Sequence, residues 1–153
     1  IRVWNLEMNR LEFTLNGHTD TIHELQVSND SKLLCSCSQD TWIKVWNLET
    51  KRLLRSQGNV AAVYTLTFAK KDTKIVTGNS VTSIKVWDPL TDTRDYTSEE
   101  QYGEIYSLRT IDKPGELVAF AGKDGIIRVW NLNKEALEFV LGAHSQSVLT
   151  LSV

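Results

Sequence analysis

Apolar and polar residues alternate along this chain in short runs, broken by clusters of glycine, serine, asparagine and aspartate. Residues 11–15, 22–27 and 63–68 alternate with a period of two, the pattern of a strand with one buried face. Residues 33–38, 74–78 and 117–122 are small or apolar nearly throughout. Residues 53–55, 105–108, 125–131 and 137–141 read as further strands, 93–98 as a poorer and more polar one, and 148–153 as a last one. Turn clusters at 28–31, 70–72 and 113–115 separate them. No stretch sustains a period of 3.6 residues, so the fold class expected is all-β.

One strand is written four times: Ile1-Arg2-Val3-Trp4-Asn5, Ile43-Lys44-Val45-Trp46-Asn47, Ile84-Lys85-Val86-Trp87-Asp88 and Ile127-Arg128-Val129-Trp130-Asn131. Its tryptophans are 42, 41 and 43 residues apart. A strand recurring about every 40 residues marks a repeat architecture in which each period is one supersecondary unit. Four strands per period, joined by short turns, must form antiparallel meanders, because parallel strands need long crossovers. The count is fifteen strands: two before the first Gly-His turn, four in each of three periods, and one at the end.

Composition narrows the function. In 153 residues, 41% are hydrophobic and 24% charged, enough for a packed core and an ordinary wetted surface. A net charge of −2 argues against nucleic acid or an anionic membrane as the main partner. Two cysteines make no disulfide framework, which points to an intracellular setting, cytoplasm or nucleus. No apolar run approaches the roughly 20 residues of a membrane span.

A Gly-His turn, a small-residue strand, a Ser-x-Asp turn and a strand ending in Trp-Asn or Trp-Asp, at this spacing, resemble the WD40 repeat family. The resemblance covers essentially the whole chain. It implies a β-propeller whose four-stranded blades surround a central channel. On that mapping residues 1–16 end one blade, 17–57, 58–100 and 101–141 are full repeats, and 142–153 begin another. The chain opens inside one strand and closes inside another, so it is expected to be part of a larger propeller, completed by further blades or by self-association.

The resemblance also places His18, Ser36, Asp40 and Trp46 on the family's hydrogen-bonded structural tetrad, with Ser38 a weaker alternative to Ser36. A serine hydroxyl can donate and accept at once, so it can link a buried histidine to an indole N–H. Other periods depart from the pattern. Asn59 and Val81 replace the histidine and aspartate of the third period, though Thr77 and Trp87 match. Phe120 takes the hydroxyl position of the fourth, and no histidine precedes its first strand. Those repeats are expected to rely on apolar packing.

Candidate chemistry is thin. Cys35 and Cys37 share a strand face near His23, but zinc wants four ligands and turn-borne spacing, so both read as buried inert thiols. The residue types of His18, Asp40 and Ser36 echo a hydrolase triad, yet a triad is a geometry and the mapping buries this serine. Arg2, Lys44, Lys85 and Arg128 form a repeated basic row whose stems suit covering apolar surface. Trp42 is either packed or an interface anchor. The family's binding face implies Thr19, Thr21, Gln39, Tyr102, Glu104 and Lys123 as partner-contacting, with Ser145 and Ser147 in the last turn. The expectation is therefore a non-catalytic protein–protein interaction scaffold in a multi-subunit complex, with no metal, cofactor or enzymatic site. A propeller subunit touching RNA in a ribonucleoprotein, and a self-assembling part-propeller, are the alternatives.

Overall fold

In the computed structural model, residues 1–81, 83–91, 94–98, 102–142 and 144–153 are described, and among them every regular element is a β-strand. The first sheet pairs β1 (Arg2–Asn5) with β2 (Arg10–Thr14). The second runs β3 (Ile22–Val27), β4 (Leu33–Ser38), β5 (Trp42–Asn47) and β6 (Arg52–Gly58). β7 (Val63–Ala69), β8 (Lys74–Asn79), β9 (Ile84–Trp87) and β10 (Arg94–Thr97) make the third. β11 (Ile105–Thr110), β12 (Leu117–Gly122), β13 (Ile126–Asn131) and β14 (Ala136–Gly142) make the fourth. All neighbours are antiparallel and consecutive in sequence, the up-and-down blades of a propeller.

The repeated Trp-Asn has a local cause. The asparagine side chain after each tryptophan caps the turn that follows: Asn5 Oδ1 accepts from Met8 N at 2.9 Å, Asn47 Oδ1 from Thr50 N at 2.7 Å and Asn131 Oδ1 from Lys134 N at 3.0 Å. Asp88 does the same for Leu90 N at 2.8 Å. One residue after each of the donors Met8, Thr50 and Lys134 stand Asn9, Lys51 and Glu135, each with φ in the left-handed region, at 48°, 59° and 50°. A register shift falls just before Trp4, Trp46 and Trp130 in the pairing with the outer strand. Turn and bulge together fix where each indole points.

The core lies between the sheets. Leu15, Leu34 and Trp46 fill the first junction, and Cys35, Cys37, Ile43 and Val45 meet Val63, Leu66, Phe68, Ile75 and Trp87 at the second. Val76, Ile84 and Val86 meet Leu108, Val118, Phe120 and Trp130 at the third. Trp46, Trp87 and Trp130 thus each close one inter-sheet core.

The inner strands β3, β7 and β11 lie side by side and are stitched by side chains. Glu24 of β3 accepts from the Thr65 hydroxyl at 2.6 Å and from Leu66 N at 2.9 Å on β7, and pairs with Arg109 of β11 at 2.7 Å. Gln26 accepts from Phe68 N at 2.7 Å. Ser107 of β11 receives Leu151 N at 2.9 Å, the same stitch one sheet on.

Two expectations need correction. Residues 148–153 form no strand: the segment lies where an inner strand would, held by Val148 N on Gly122 O at 2.9 Å and by Ser107, but no strand within the chain follows it to complete a ladder. The described strands therefore number fourteen. Thr93, expected to open the fourth strand of its period, lies outside the described residues, as do Glu100 and Gln101 at the expected repeat boundary.

Candidate functional site

The structure brings His18, Ser36, Asp40 and Trp46 together. His18 comes from the turn before β3, Ser36 from the middle of β4, Asp40 from the β4–β5 turn and Trp46 from β5. His18 Nδ1 lies 2.8 Å from Asp40 Oδ2 and His18 Nε2 lies 2.7 Å from Ser36 Oγ. Trp46 Nε1 donates to the same Oγ at 2.9 Å. The network assigns the protons: Nδ1–H donates to the carboxylate, and the Ser36 hydroxyl donates to Nε2 while accepting from the indole. Asp40 also accepts from Thr19 N at 2.9 Å and Trp42 N at 3.0 Å.

Burial sets the charges here. Removal from water lowers the His18 pKa, with Asp40 pulling the other way, so the neutral ring is favoured. Burial would raise the Asp40 carboxyl, but the N–H groups of Thr19 and Trp42 and the His18 ring more than offset it, and the net direction is down. Ser36 is fully buried, with its oxygen already holding the indole N–H. The arrangement ties a turn to two strands, and no surface reaches its hydroxyl.

The other periods keep the indole bond by different means. Trp87 Nε1 donates to Thr77 Oγ1 at 3.0 Å. Asn59 accepts from Lys85 Nζ in place of a histidine, and Asn79 Oδ1 receives Val81 N at 2.9 Å. In the fourth sheet apolar packing alone was expected, and the structure departs from that. Phe120 offers no acceptor, so Trp130 Nε1 donates across the junction to the Tyr96 hydroxyl at 2.9 Å. Asp124 still receives Ile126 N at 3.1 Å and pairs with Arg128 at 2.7 Å.

Tyr102 departs from expectation too. It is 7% exposed, with its ring 6.5 Å from Trp130, the separation at which His18 stands from Trp46. It packs on Phe120 at 5.0 Å, and Arg128 lies 4.9 Å from its centroid. With phenylalanine at the hydroxyl position, an aromatic ring fills the histidine's place, so Tyr102 belongs to the core rather than to an exposed face.

The remaining expected contact residues lie at the same end of the sheets. Thr19, Thr21, Gln39 and Lys123 are exposed, Glu104 is half-buried, and Ser145 and Ser147 are exposed in the last turn. Trp42 is 42% exposed, with Lys44 Nζ 5.4 Å from its ring. Gln39 Oε1 accepts from His23 Nε2 at 3.0 Å. Glu104 pairs with Lys123 at 2.7 Å and accepts from the Tyr106 hydroxyl at 3.0 Å. Those bonds hold the Glu104 carboxyl below its usual range and raise the Lys123 ammonium.

Between these pairs runs a row that sequence reasoning missed. His23, Tyr64 and Tyr106 are the second residues of β3, β7 and β11, and each falls at the register shift of its strand. His23 meets Tyr64 edge-on at 5.1 Å, and Tyr64 meets Tyr106 at 5.8 Å. Gln39, His23, Tyr64, Tyr106, Glu104 and Lys123 thus form one continuous chain of contacts across three sheets. The signal was available: an aromatic follows the first β-branched residue of each inner strand.

Cys35 and Cys37 are free and fully buried, and burial pushes both thiols up, away from thiolate reactivity. Among the described residues no group of three or more His, Cys, Asp or Glu is placed to hold a metal ion, and no helix is long and apolar enough to cross a membrane.

Comparison with known proteins gives a consistent result. The family model described as WD domain, G-beta repeat matches residues 9–47 and 94–131, together half of the chain. The pre-mRNA-splicing factor cwf17 of Schizosaccharomyces pombe is 28% identical over 151 residues, 97% of this chain and 44% of that protein. Eukaryotic translation initiation factor 3 subunit I of Culex quinquefasciatus is 27% identical over 154 residues, 92% of this chain and 47% of that protein. The crystal structure of the RRP9 WD40 repeats superposes with a TM-score of 0.83 at 20% identity, over 89% of this chain and 43% of that one. The chain spans about half the length of the curated relatives it matches.

Proposed function

The chain belongs to the WD domain, G-beta repeat family, and on that footing we propose that it is a non-catalytic scaffold on which other proteins assemble within a multi-subunit, intracellular complex. The observation that carries this reading is the row His23–Tyr64–Tyr106, flanked by Gln39 and by the Glu104–Lys123 pair. Aromatic side chains give large contact area at small entropic cost, and they are the usual anchors of interfaces. Here they stand on bulged strands of a stitched scaffold, so little ordering remains to be done on binding. The relatives named above, a splicing factor and an initiation-factor subunit, are proteins of large assemblies by their names, which supports the same reading.

Contact with RNA is the second reading, favoured by the splicing-factor relative. Lys123 of the row and Arg109 of β11 weigh against it, because Arg109 is held by Glu24 and Lys123 by Glu104, both at 2.7 Å. Backbone binding wants clustered cations able to release counterions. Further blades would cover the outward faces of the first and fourth sheets, where Trp4 is 54% and Leu141 52% exposed.

The test is capture of the native complex by the full-length protein carrying Tyr64→Ala and Tyr106→Ala. Loss of partners with an unchanged unfolding midpoint is expected. Undiminished capture would place the binding surface elsewhere.

A further inference from the structure

We propose that Asn16 is a spontaneous modification site, deamidated through attack by the backbone nitrogen of Gly17, and that the isoaspartate formed there unlocks the second sheet. Asn16-Gly17 is the one Asn-Gly pair in the sequence. It lies in the loop between β2 and β3, and both residues are exposed. Among the described residues no hydrogen bond holds the Asn16 side chain or the Gly17 N–H. Other asparagine side chains are committed. Asn47 and Asn131 cap turns, Asn59 accepts from Lys85, and Asn79 is 1% exposed with its Oδ1 on Val81 N.

The chemistry balances without a cofactor. The Gly17 nitrogen gives its proton to solvent hydroxide and bonds to Cγ of Asn16, and the side-chain nitrogen leaves as ammonia. Water then opens the cyclic imide. Cleavage at the side-chain carbonyl yields aspartate, whereas cleavage at the main-chain carbonyl yields isoaspartate, whose backbone runs through Cβ and Cγ. The net change is one water consumed and one ammonia released. A following glycine favours ring closure because no Cβ crowds its nitrogen, and asparagine is a thermolabile residue through such reactions.

The fold keeps this pair in place. A Cβ at position 17 would stand 2.9 Å from Trp46 Cη2 and 3.6 Å from Lys44 Cδ. Glycine lets the loop pass over the indole, so the residue that makes Asn16 labile is one the core cannot exchange. The chain's comparable Asp-Gly pair, Asp124-Gly125, is closed to the same attack. There Gly125 is buried, its N–H donates to Gly122 O at 3.2 Å, and Asp124 is held by Arg128 at 2.7 Å.

Isoaspartate at position 16 would lengthen the main chain by one carbon just before Gly17 and His18. The loop has no slack to absorb it. His18 sits 2.8 Å from Asp40 and 2.7 Å from Ser36, and Thr19 N lies 2.9 Å from Asp40. Lengthening therefore displaces the histidine corner of the tetrad and disturbs the Ser36 hydroxyl that holds the Trp46 indole. Plain aspartate adds a charge at an exposed position and leaves the chain length as it was. The site lies apart from the His23–Tyr64–Tyr106 row and does not depend on it.

The experiment incubates the folded full-length protein in mildly alkaline buffer beside the free peptide Ac-Leu-Asn-Gly-His-amide. Peptide mapping with isoaspartyl methyltransferase should find isoaspartate at position 16 and none at Asp124. Asn16→Gln should abolish the labelling at that position. By nuclear magnetic resonance, a second Trp46 indole signal should grow in step with the isoaspartate, while the Trp87 signal stays where it was. Asn16→Asp should keep the original Trp46 signal, which separates chain lengthening from added charge. No conversion at Asn16 over the interval that exhausts the peptide, equal labelling at Asp124, or isoaspartate formation with an unmoved Trp46 signal would each overturn the proposal.

Discussion

The indole N–H of Trp130 is held at 2.9 Å by the hydroxyl of Tyr96 in the neighbouring sheet, whereas Trp46 finds its acceptor, Ser36, inside its own sheet. The two tryptophans occupy the same place in the repeat, so one bond locks a blade and the other locks two blades to each other. Tyr96→Phe should destabilise the protein by about 1–2 kcal/mol, the penalty for leaving a buried donor unpaired. In the double variant with Trp130→Phe that penalty should largely vanish. Denaturant midpoints of the four proteins in the cycle give the answer.

Within the second sheet, Trp46→Ala should cost about 3–5 kcal/mol, from the cavity left by a 2% exposed indole and the indole donor lost to Ser36 Oγ. Asp40→Ala should cost about 1–3 kcal/mol, since it strips acceptors from Thr19 N, Trp42 N and His18. Unchanged unfolding midpoints in both would show that the network is not what fixes this blade.

Much of this was readable beforehand, and the reasons are local. The tetrad of the second period was legible because its four residues obey fixed spacing from the tryptophan. The third repeat folds as a four-stranded sheet although the family model passes over its first three strands, because Ile84-Lys85-Val86-Trp87 and the alternation around Leu66 carry the strand signal without His or Asp. Tyr102 and Tyr96 were not legible. Their roles follow from Phe120 removing a hydroxyl elsewhere, a compensation that only packing in three dimensions exposes. The row His23–Tyr64–Tyr106 was hidden because each residue sits at a bulge, where simple alternation assigns the wrong face.

Acid should act on the tetrad first. The folded-state His18 pKa lies below its ordinary value of 6.5, so the unfolded chain binds more protons there and stability rises with pH across that window. The contribution is whole above 6.5 and falls as pH drops towards the folded-state value. Asp40, also lowered from 3.8, adds a second loss below that pH. Thermal midpoints between pH 7 and pH 5 should decline in the natural protein and decline less in His18→Asn; equal slopes would remove His18 from the acid response.

Glu24 reaches across three inner strands, so its loss should be felt far from its own sheet. Glu24→Ala removes the acceptor of Thr65 and Leu66 N and strands the Arg109 guanidinium, and should cost about 2–4 kcal/mol. Faster amide exchange is expected at Leu66 and in β11 as well as in β3. Exchange that rises in β3 alone would show that the stitch does not couple the sheets.

The most direct measurement is amide hydrogen exchange of the full-length protein, free and within its native complex. Partner binding on the inner rim should protect the backbone around Gln39, Tyr64, Glu104, Tyr106 and Lys123 in all three sheets together. Protection confined to other surfaces, with these positions exchanging as in the free protein, would contradict the scaffold reading of this face.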